Sequence, residues 1–208
     1  MQLRERTALT FEAYVTGEQW RMAKLSSCPI CDGPVSSHGT YVRKIPKIAA
    51  IARFYCAPCH LTIGLLPDFY ASRMPGLLDD IEKSVAVAEA AASVEAAAEE
   101  LRPAEEPEAV TLPSALRWLR RRVAPAHAIL ATVIGLLPGR FEGCAPTIAS
   151  FRERLGTTRV LVALREICGR HVHALVAPLG LIAAPNSAAA VHRRHQQWAG
   201  PGPPASPP

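Results

Sequence analysis

Apolar and basic side chains alternate in two short stretches near the start of the chain, residues 40–43 and residues 52–55. A period of two places alternate side chains on opposite faces of an extended backbone, so both stretches are predicted to be β-strands. Thr62 and Ile63 continue as a further strand, which Pro67 ends because proline has no backbone N–H to donate. Aromatic side chains in residues 1–27 are expected to anchor a short strand or helix against these strands.

Beyond residue 76 the apolar spacing changes to three and four residues, and alanine and glutamate dominate, which predicts helices. Ser93 interrupts this pattern, and its hydroxyl is suited to cap a new helix. Residues 77–91 and 94–101 are therefore predicted to be separate helices, with one uninterrupted helix as the alternative. Four further helices are predicted at residues 114–123, with Ser114 as its cap, and at residues 126–137, 147–155 and 159–168.

Two Cys-x-x-Cys pairs stand on either side of the first two predicted strands. Cys28 and Cys31 form one pair, Cys56 and Cys59 form the other, and 24 residues separate the pairs. Each pair can wrap a tight turn around one metal ion, and four thiolates complete the tetrahedral shell that structural Zn²⁺ prefers. The pattern predicts a zinc ribbon in which the metal supplies most of the stability. Two disulfides or four unpaired thiols are the alternatives.

These patterns together predict an α+β fold, in which a small zinc ribbon of short antiparallel strands precedes a mainly α-helical region. Proline and glutamate make residues 102–113 an exposed acidic loop, and the Pro/Gly-rich end of the chain is predicted to be a disordered tail. The predicted units are the ribbon with its N-terminal extension at 1–70, a helical segment at 77–123, a helical C-terminal region at 124–198 and the tail at 199–208.

Basic residues outnumber acidic ones by 23 to 18, and the isoelectric point of about 9.1 is compatible with a polyanionic partner. The charges are unevenly distributed. Residues 76–112 are mainly acidic, whereas residues 1–75 and 113–208 are mainly basic. No apolar run is long enough to cross a membrane, and no secretory signal opens the chain. A soluble, cytoplasmic protein is expected.

The order of these motifs resembles a known family. Residues 28–31, 38–43, 53–59 and 66–69 look like the N-terminal zinc ribbon of bacterial transposase-associated proteins, an uncharacterised family linked to mobile elements. The predicted helix after Ser93, followed by residues 113–121, is similar to the helix-turn-helix of transposase N-terminal regions. The likeness covers residues 27–123.

The loop between the two helices of this segment departs from the family pattern. A helix-turn-helix usually has a turn of about three or four residues, whereas residues 102–113 form a longer, acidic and proline-rich insertion. Acidic side chains beside a recognition helix would repel phosphates.

The resemblance implies DNA binding by a protein related to transposase N-terminal regions, with a second copy or a transposase as further partners. The helix at 114–123 would enter the major groove, and the ribbon would extend the contact surface. Trp118 is expected to pack against the preceding helix. The alternative to DNA binding is that the arginines of the helix at 114–123 form a basic face that contacts only solvent. The implied DNA contacts are Arg43, Lys44, Lys47, Arg53, Arg117, Arg120 and Arg121.

Catalysis is not expected from this sequence. Phosphoryl transfer of the transposase type needs three acidic metal ligands in a domain of their own. Acidic residues are scarce after Leu112, and they do not lie in predicted strands; they are Glu142, Glu153 and Glu166. The alternative to DNA binding is a zinc-ribbon module that binds other proteins and no nucleic acid.

Further cysteines and histidines allow other assignments. His38 and His60 are expected to be hydrogen-bonding residues near the ribbon, with His60 at most a substitute ligand. Two cysteines and two histidines later in the chain could form a second metal site. The alternative is that they are ordinary buried thiols and helix-end histidines. The ligands of this second site would be Cys144, Cys168, His171 and His173.

Overall fold

A four-stranded sheet and seven α-helices make up the mixed α/β fold of the computed structural model, which describes residues 1–45, 48–102 and 110–183. The sheet has the order β1-β4-β3-β2; β1 is parallel to β4, and the other pairs are antiparallel. The predicted strands are confirmed, and two of them are longer than predicted. The strands are β1 (Gln2–Glu5), β2 (Ser36–Arg43), β3 (Ala49–Cys56) and β4 (Leu61–Pro67).

Alternating side chains give the sheet two different faces. Ile51 of β3 and Leu66 of β4 belong to a buried cluster with Phe11 and Tyr14 of α1 (Phe11–Thr16). On the opposite face, Phe54 packs with residues from the segment between α1 and β2. The aromatic residues near the N-terminus thus anchor a helix on the sheet, as expected from the sequence.

Ser93 separates the next two helices, as predicted. Its hydroxyl oxygen accepts a hydrogen bond from the Ala96 N–H at 3.1 Å, which satisfies one of the free donors at the start of the second helix. The alternative of one uninterrupted helix is therefore wrong. The two helices are α2 (Leu78–Ala90) and α3 (Val94–Glu100).

The prediction for the following helices was wrong in one respect, because α4 (Leu112–Leu136) is a single helix. It begins before Ser114, with Thr111 at its N-cap and Pro113 in its first turn. Pro125 lies inside it, although an interior proline costs a helix about 3 kcal/mol. Apolar contacts on both sides of Pro125 hold the helix together: Leu119 packs with α3, and Ile129 packs in the main helical core.

The remaining helices are short, and two of them are held at their N-termini by glutamates of α2, buried Glu82 and partly exposed Glu89. Glu82 accepts a hydrogen bond from the Leu161 N–H at 3.0 Å, and Glu89 accepts one from the Ile148 N–H at 2.8 Å. Each carboxylate thereby satisfies a free donor at a helix N-terminus, where negative charge is favoured. The predicted helices at 147–155 and 159–168 are confirmed. These helices are α5 (Pro138–Phe141), α6 (Ile148–Leu155) and α7 (Val160–Ile167).

Arg165 of α7 ties the helices to the end of the sheet. Its guanidinium is fully buried and donates to the carbonyl oxygens of Asp68 and Tyr70, at 2.9 and 2.6 Å. It also donates to the carbonyl oxygens of Pro178 and Leu179 in the C-terminal segment. Burial lowers the pKa of Arg165 to about 10, so the side chain remains charged at neutral pH.

Several sequence predictions fall outside the described residues. These are the side chain of Lys47, the acidic core of the loop at 103–109, residues 184–198 and the tail at 199–208. The division of the chain into separate units stays a prediction, and the proposed boundary after Val123 lies within α4. No helix in the described part of the chain combines the length and apolar character needed to span a bilayer.

Arg165→Met should lower the free energy of unfolding by about 3 kcal/mol, because it leaves four buried carbonyl oxygens without this donor. The change is measured by urea denaturation followed by circular dichroism. Arg121→Met, at an exposed position of α4, is the control and should change stability by less than about 0.5 kcal/mol. Equal stability of the two variants would show that Arg165 does not hold the sheet and helices together.

Candidate metal centre

Two tight turns bring the four cysteines of the Cys-x-x-Cys pairs together. In the first turn, residues 28–33, the Cys28 N–H donates to the Gly33 carbonyl and the Asp32 N–H donates to the Cys28 carbonyl, both at 2.9 Å. The second turn, residues 56–60, joins β3 to β4. Asp32 and His60 each follow the second cysteine of a pair and have positive φ angles, 53° and 49°. Left-handed backbone at these two positions allows the chain to reverse around the sulfur atoms.

The cysteine sulfur atoms have the spacing of a tetrahedral metal site. All four Sγ atoms lie within 4.8 Å of one another; Cys31 and Cys56 are 3.6 Å apart, and Cys28 and Cys59 are 3.9 Å apart. A regular tetrahedron with a Zn–S distance of about 2.3 Å has sulfur atoms separated by roughly 3.8 Å. A disulfide needs about 2.05 Å. The four cysteines are free thiols that could hold a metal ion, and the predicted disulfide alternative is wrong.

The centre lies at the boundary between a small core and solvent. Cys28 and Cys56 are completely buried, packed with Leu61 and Ile63 of β4, whereas Cys31 is exposed. This burial excludes water from one side of the site and leaves a path for a metal ion from the other side.

The thiols of Cys28, Cys56 and Cys59 differ in their pKa values. Burial raises the pKa of Cys28, but hydrogen bonds from the backbone N–H groups of Ile30 and Cys31 and from neighbouring thiols outweigh burial and lower that pKa to about 7. Hydrogen bonding to Cys31, followed by burial, raises the pKa of Cys59 to about 12. Burial also raises the pKa of Cys56. A cation is needed to stabilise several thiolates at such short distances.

The histidines near this centre are hydrogen-bonding residues, as expected. Nδ1 of His60 lies 3.2 Å from the hydroxyl of Tyr55, and the rings of His38 and Tyr55 have centroids 5.4 Å apart. Sequence reasoning missed Tyr55, although its position immediately before Cys56 was a usable signal.

The second predicted metal site does not form. Within residues 1–45, 48–102 and 110–183, the only group of three or more metal-binding side chains is the four-cysteine cluster. Cys168 is buried in the helical core, and Cys144 accepts a hydrogen bond from Nε of Arg154 at 3.4 Å. Cys168 is therefore a buried thiol and Cys144 a hydrogen-bonded thiol, in line with the alternative to a second metal site.

The arginines and lysines of the predicted ribbon have different surroundings. Arg43 donates to the Met74 carbonyl at 2.8 Å, and its guanidinium lies 4.9 Å from the centroid of the Tyr70 ring. Lys44 is exposed, and Arg53 is half-buried. Arg43 therefore already has protein partners, which distinguishes it from Lys44.

The predicted arginines of α4 are all exposed. Arg120 forms an ion pair with Glu95 of α3 at 3.3 Å, and Arg117 donates to the Ser114 hydroxyl at 3.2 Å. Arg121 forms no hydrogen bond or ion pair within the described parts of the chain. Trp118 does not pack as predicted, since 41% of its surface is exposed. The guanidinium of Arg122 lies 3.8 Å from the centroid of the Trp118 ring. Arg122 is buried, and the prediction did not include it.

Comparisons with known proteins gave no match, whether the chain was compared with protein-family models, with curated proteins or with solved structures.

Metal binding to the reduced apoprotein should release at least two protons per ion at about pH 8. Cys56 and Cys59 are protonated there because of their raised pKa values, and both must become thiolates to bind a metal. Titration calorimetry in buffers with different ionisation enthalpies measures this number, and the affinity should rise with pH. Binding without proton release would show that these two residues are not ligands. Cys144→Ser serves as the control and should leave proton release unchanged.

Proposed function

We propose that this protein is a zinc-dependent DNA-binding protein without a catalytic domain. Four sulfur donors favour Zn²⁺ among the common structural metals, because hard cations such as Mg²⁺ and Ca²⁺ prefer oxygen. Two cysteine turns beside the antiparallel strands β2, β3 and β4 support the assignment of a zinc ribbon.

The role proposed for zinc is structural. Four thiolates leave no coordination position for a substrate or an activated water, so the site favours a binding protein over an enzyme. Cys28 precedes β2 by several residues, Cys56 ends β3, and Cys59 stands just before β4. A bound ion would therefore hold the ends of three neighbouring strands at one point.

The observation that carries the DNA proposal is the exposed basic face of α4. Arg117 and Arg121 are one helical turn apart, so both side chains point in the same direction. Neither forms an ion pair with an acidic residue within the described part of the chain. Two neighbouring guanidinium groups at this spacing can contact phosphate oxygens along one strand of DNA.

The packing of α3 against α4 also supports this function. Ala97 and Ala98 of α3 are buried against Ala115 and Leu119 of α4. Small side chains allow two helices to approach closely, as in a helix-turn-helix, with the second helix presenting its outer face. The ion pair between Arg120 and Glu95 removes one of the three predicted arginines from the free basic surface. The link to transposase N-terminal regions remains a resemblance.

A second candidate function, binding of another protein, is favoured by the outer strand of the sheet. β2 lies at the edge, so one side of its backbone has no neighbouring strand in the described part of the chain. Near its end Val42, Ile45 and Ile48 are 56%, 51% and 71% exposed. Exposed apolar side chains beside an open strand edge are typical of a surface that pairs with another chain.

The double variant Arg117→Gln/Arg121→Gln should weaken duplex DNA binding about tenfold or more, because two phosphate contacts are lost. The slope of log affinity against log salt should become less steep by about 0.9 for each lost contact. Fluorescence anisotropy with a duplex of about 20 base pairs, between about 50 and 200 mM salt, measures both quantities.

The matched control is Arg140→Gln/Arg170→Gln, which removes the same charge from exposed positions away from the start of α4. Its effect should be smaller than twofold in affinity if contact rather than net charge determines binding. Equal losses in the two double variants would contradict a specific role for α4. A protein that oligomerises and has no affinity for DNA would favour the second candidate function.

A further inference from the structure

Within residues 1–45, 48–102 and 110–183, one half of a sheet face lies uncovered beside the candidate metal centre. Arg53 and Tyr55 of β3 point to the same side as Ile51, since alternate residues share a face. The register places Gly64 beside Arg53 and Thr62 beside Tyr55. Ile51 is buried, whereas Arg53, Tyr55 and Thr62 are partly exposed. We call these three residues, together with Tyr41 and His38 of β2, the open face.

Arg53 is the charged group of this face. Its Nε atom is buried without a hydrogen-bond partner, and its side chain forms no ion pair within the described residues. An arginine with a buried, unused donor is costly, and its planar head group is suited to bind a phosphate or carboxylate. Among the described residues, no hydrogen-bond acceptor is therefore assigned to this guanidinium.

Gly64 makes room for an aromatic ring next to Arg53. A Cβ atom at position 64 would lie 3.1 Å from a ring carbon of Tyr41, so the ring rests almost directly on the glycine backbone. The Tyr41 hydroxyl lies 3.4 Å from Nε2 of Gln2, which fixes the far end of the ring. A larger residue at position 64 would push Tyr41 away from the sheet.

A pair of rings lies on the other side of Arg53. The planes of His38 and Tyr55 are inclined by 34°, with centroids 5.4 Å apart, and the Tyr55 hydroxyl contacts Nδ1 of His60. Tyr55 precedes Cys56 and His60 follows Cys59. Tyr55 and His60 therefore flank the second Cys-x-x-Cys pair of the candidate metal centre.

We infer that the open face binds single-stranded nucleic acid, with Arg53 on a phosphate and the rings of Tyr55 and His38 stacked against a base. This inference rests on the proposed function, because it assigns a second kind of nucleic-acid contact to the same protein. Aromatic rings beside a guanidinium are the usual means of holding unpaired bases. Bases in a duplex are stacked on one another and offer no free faces, so this surface is specific for single strands. An acidic peptide would use Arg53 but not the rings.

The test uses the full zinc-loaded chain and three fluorescent probes: an oligothymidine of about 20 nucleotides, a duplex of about the same length and a polyglutamate peptide. His38→Ala and Tyr55→Leu should each weaken oligothymidine binding about tenfold, since stacking on one base contributes about 1–3 kcal/mol. Arg53→Lys keeps the charge but removes the planar fork, and it should also weaken binding. Duplex binding should change less than twofold in these variants.

Two controls separate this inference from the proposed function. Thr40→Ala, at an exposed position on the same strand as His38, should leave all affinities unchanged. Arg117→Gln/Arg121→Gln should weaken duplex binding while oligothymidine binding persists. Unchanged zinc content and circular dichroism show that each variant is folded.

Four outcomes would overturn the inference. Duplex binding without oligothymidine binding would disprove the open face and leave the proposed function intact. Oligothymidine binding that none of the open-face variants weakens would place the single strand elsewhere. Binding of polyglutamate in place of oligothymidine would identify the open face as a peptide site. If neither nucleic acid binds, the proposed function fails as well.

Discussion

The convergence of four cysteine sulfur atoms at one point is the constraint on which the sheet depends. The two Cys-x-x-Cys pairs are separated by 24 residues, and those residues include β2 and most of β3. β2 is largely exposed and buries little apolar surface, so packing alone gives it weak support. A metal ion bound to all four sulfur atoms would close this loop and fix the relative positions of β2, β3 and β4. The same constraint sets the positions of Tyr55 and His60, which lie next to the ligands.

Charged groups that are buried or partly exposed hold the rest of the molecule together by pairing with backbone atoms. Arg165 donates to carbonyl oxygens from two distant segments, while Glu82 and Glu89 accept from the first N–H groups of α7 and α6. In each case a full charge meets polar groups that helices and loops leave unsatisfied. Such contacts are directional, so they define how the helices are oriented more strictly than apolar packing does. None of these contacts involves Arg117 or Arg121 of α4.

Local signals in the sequence predicted much of the fold. Ser93 caps a helix, and Pro67 closes a strand. Each of these features depends on a few adjacent residues, so a single sequence can reveal it. The two Cys-x-x-Cys pairs predicted the candidate centre for a related reason, because their short spacing encodes the turn that presents two sulfur atoms to one ion.

Features that depend on distant residues were not predictable. β1 joins the sheet beside β4 in parallel, and only the folded chain shows that residues near positions 2 and 64 are neighbours. Pro125 suggests a helix boundary locally, but burial of Leu119 and Ile129 on either side overrides that preference. The capping roles of Glu82 and Glu89 link positions far apart in sequence. Arg43 illustrates the same limit, because its guanidinium contacts Met74 and Tyr70, which are distant in sequence. Its DNA contact stays a prediction.

The most direct test of the central claim is the metal content of protein purified without added zinc, measured by mass spectrometry together with thermal unfolding before and after chelation. A structural four-cysteine centre predicts about one zinc per chain, its loss in Cys28→Ser, and a lower unfolding temperature after chelation. The Cys144→Ser variant should retain both metal and stability. Metal-free protein that unfolds at the same temperature with and without chelator would contradict a metal-dependent sheet.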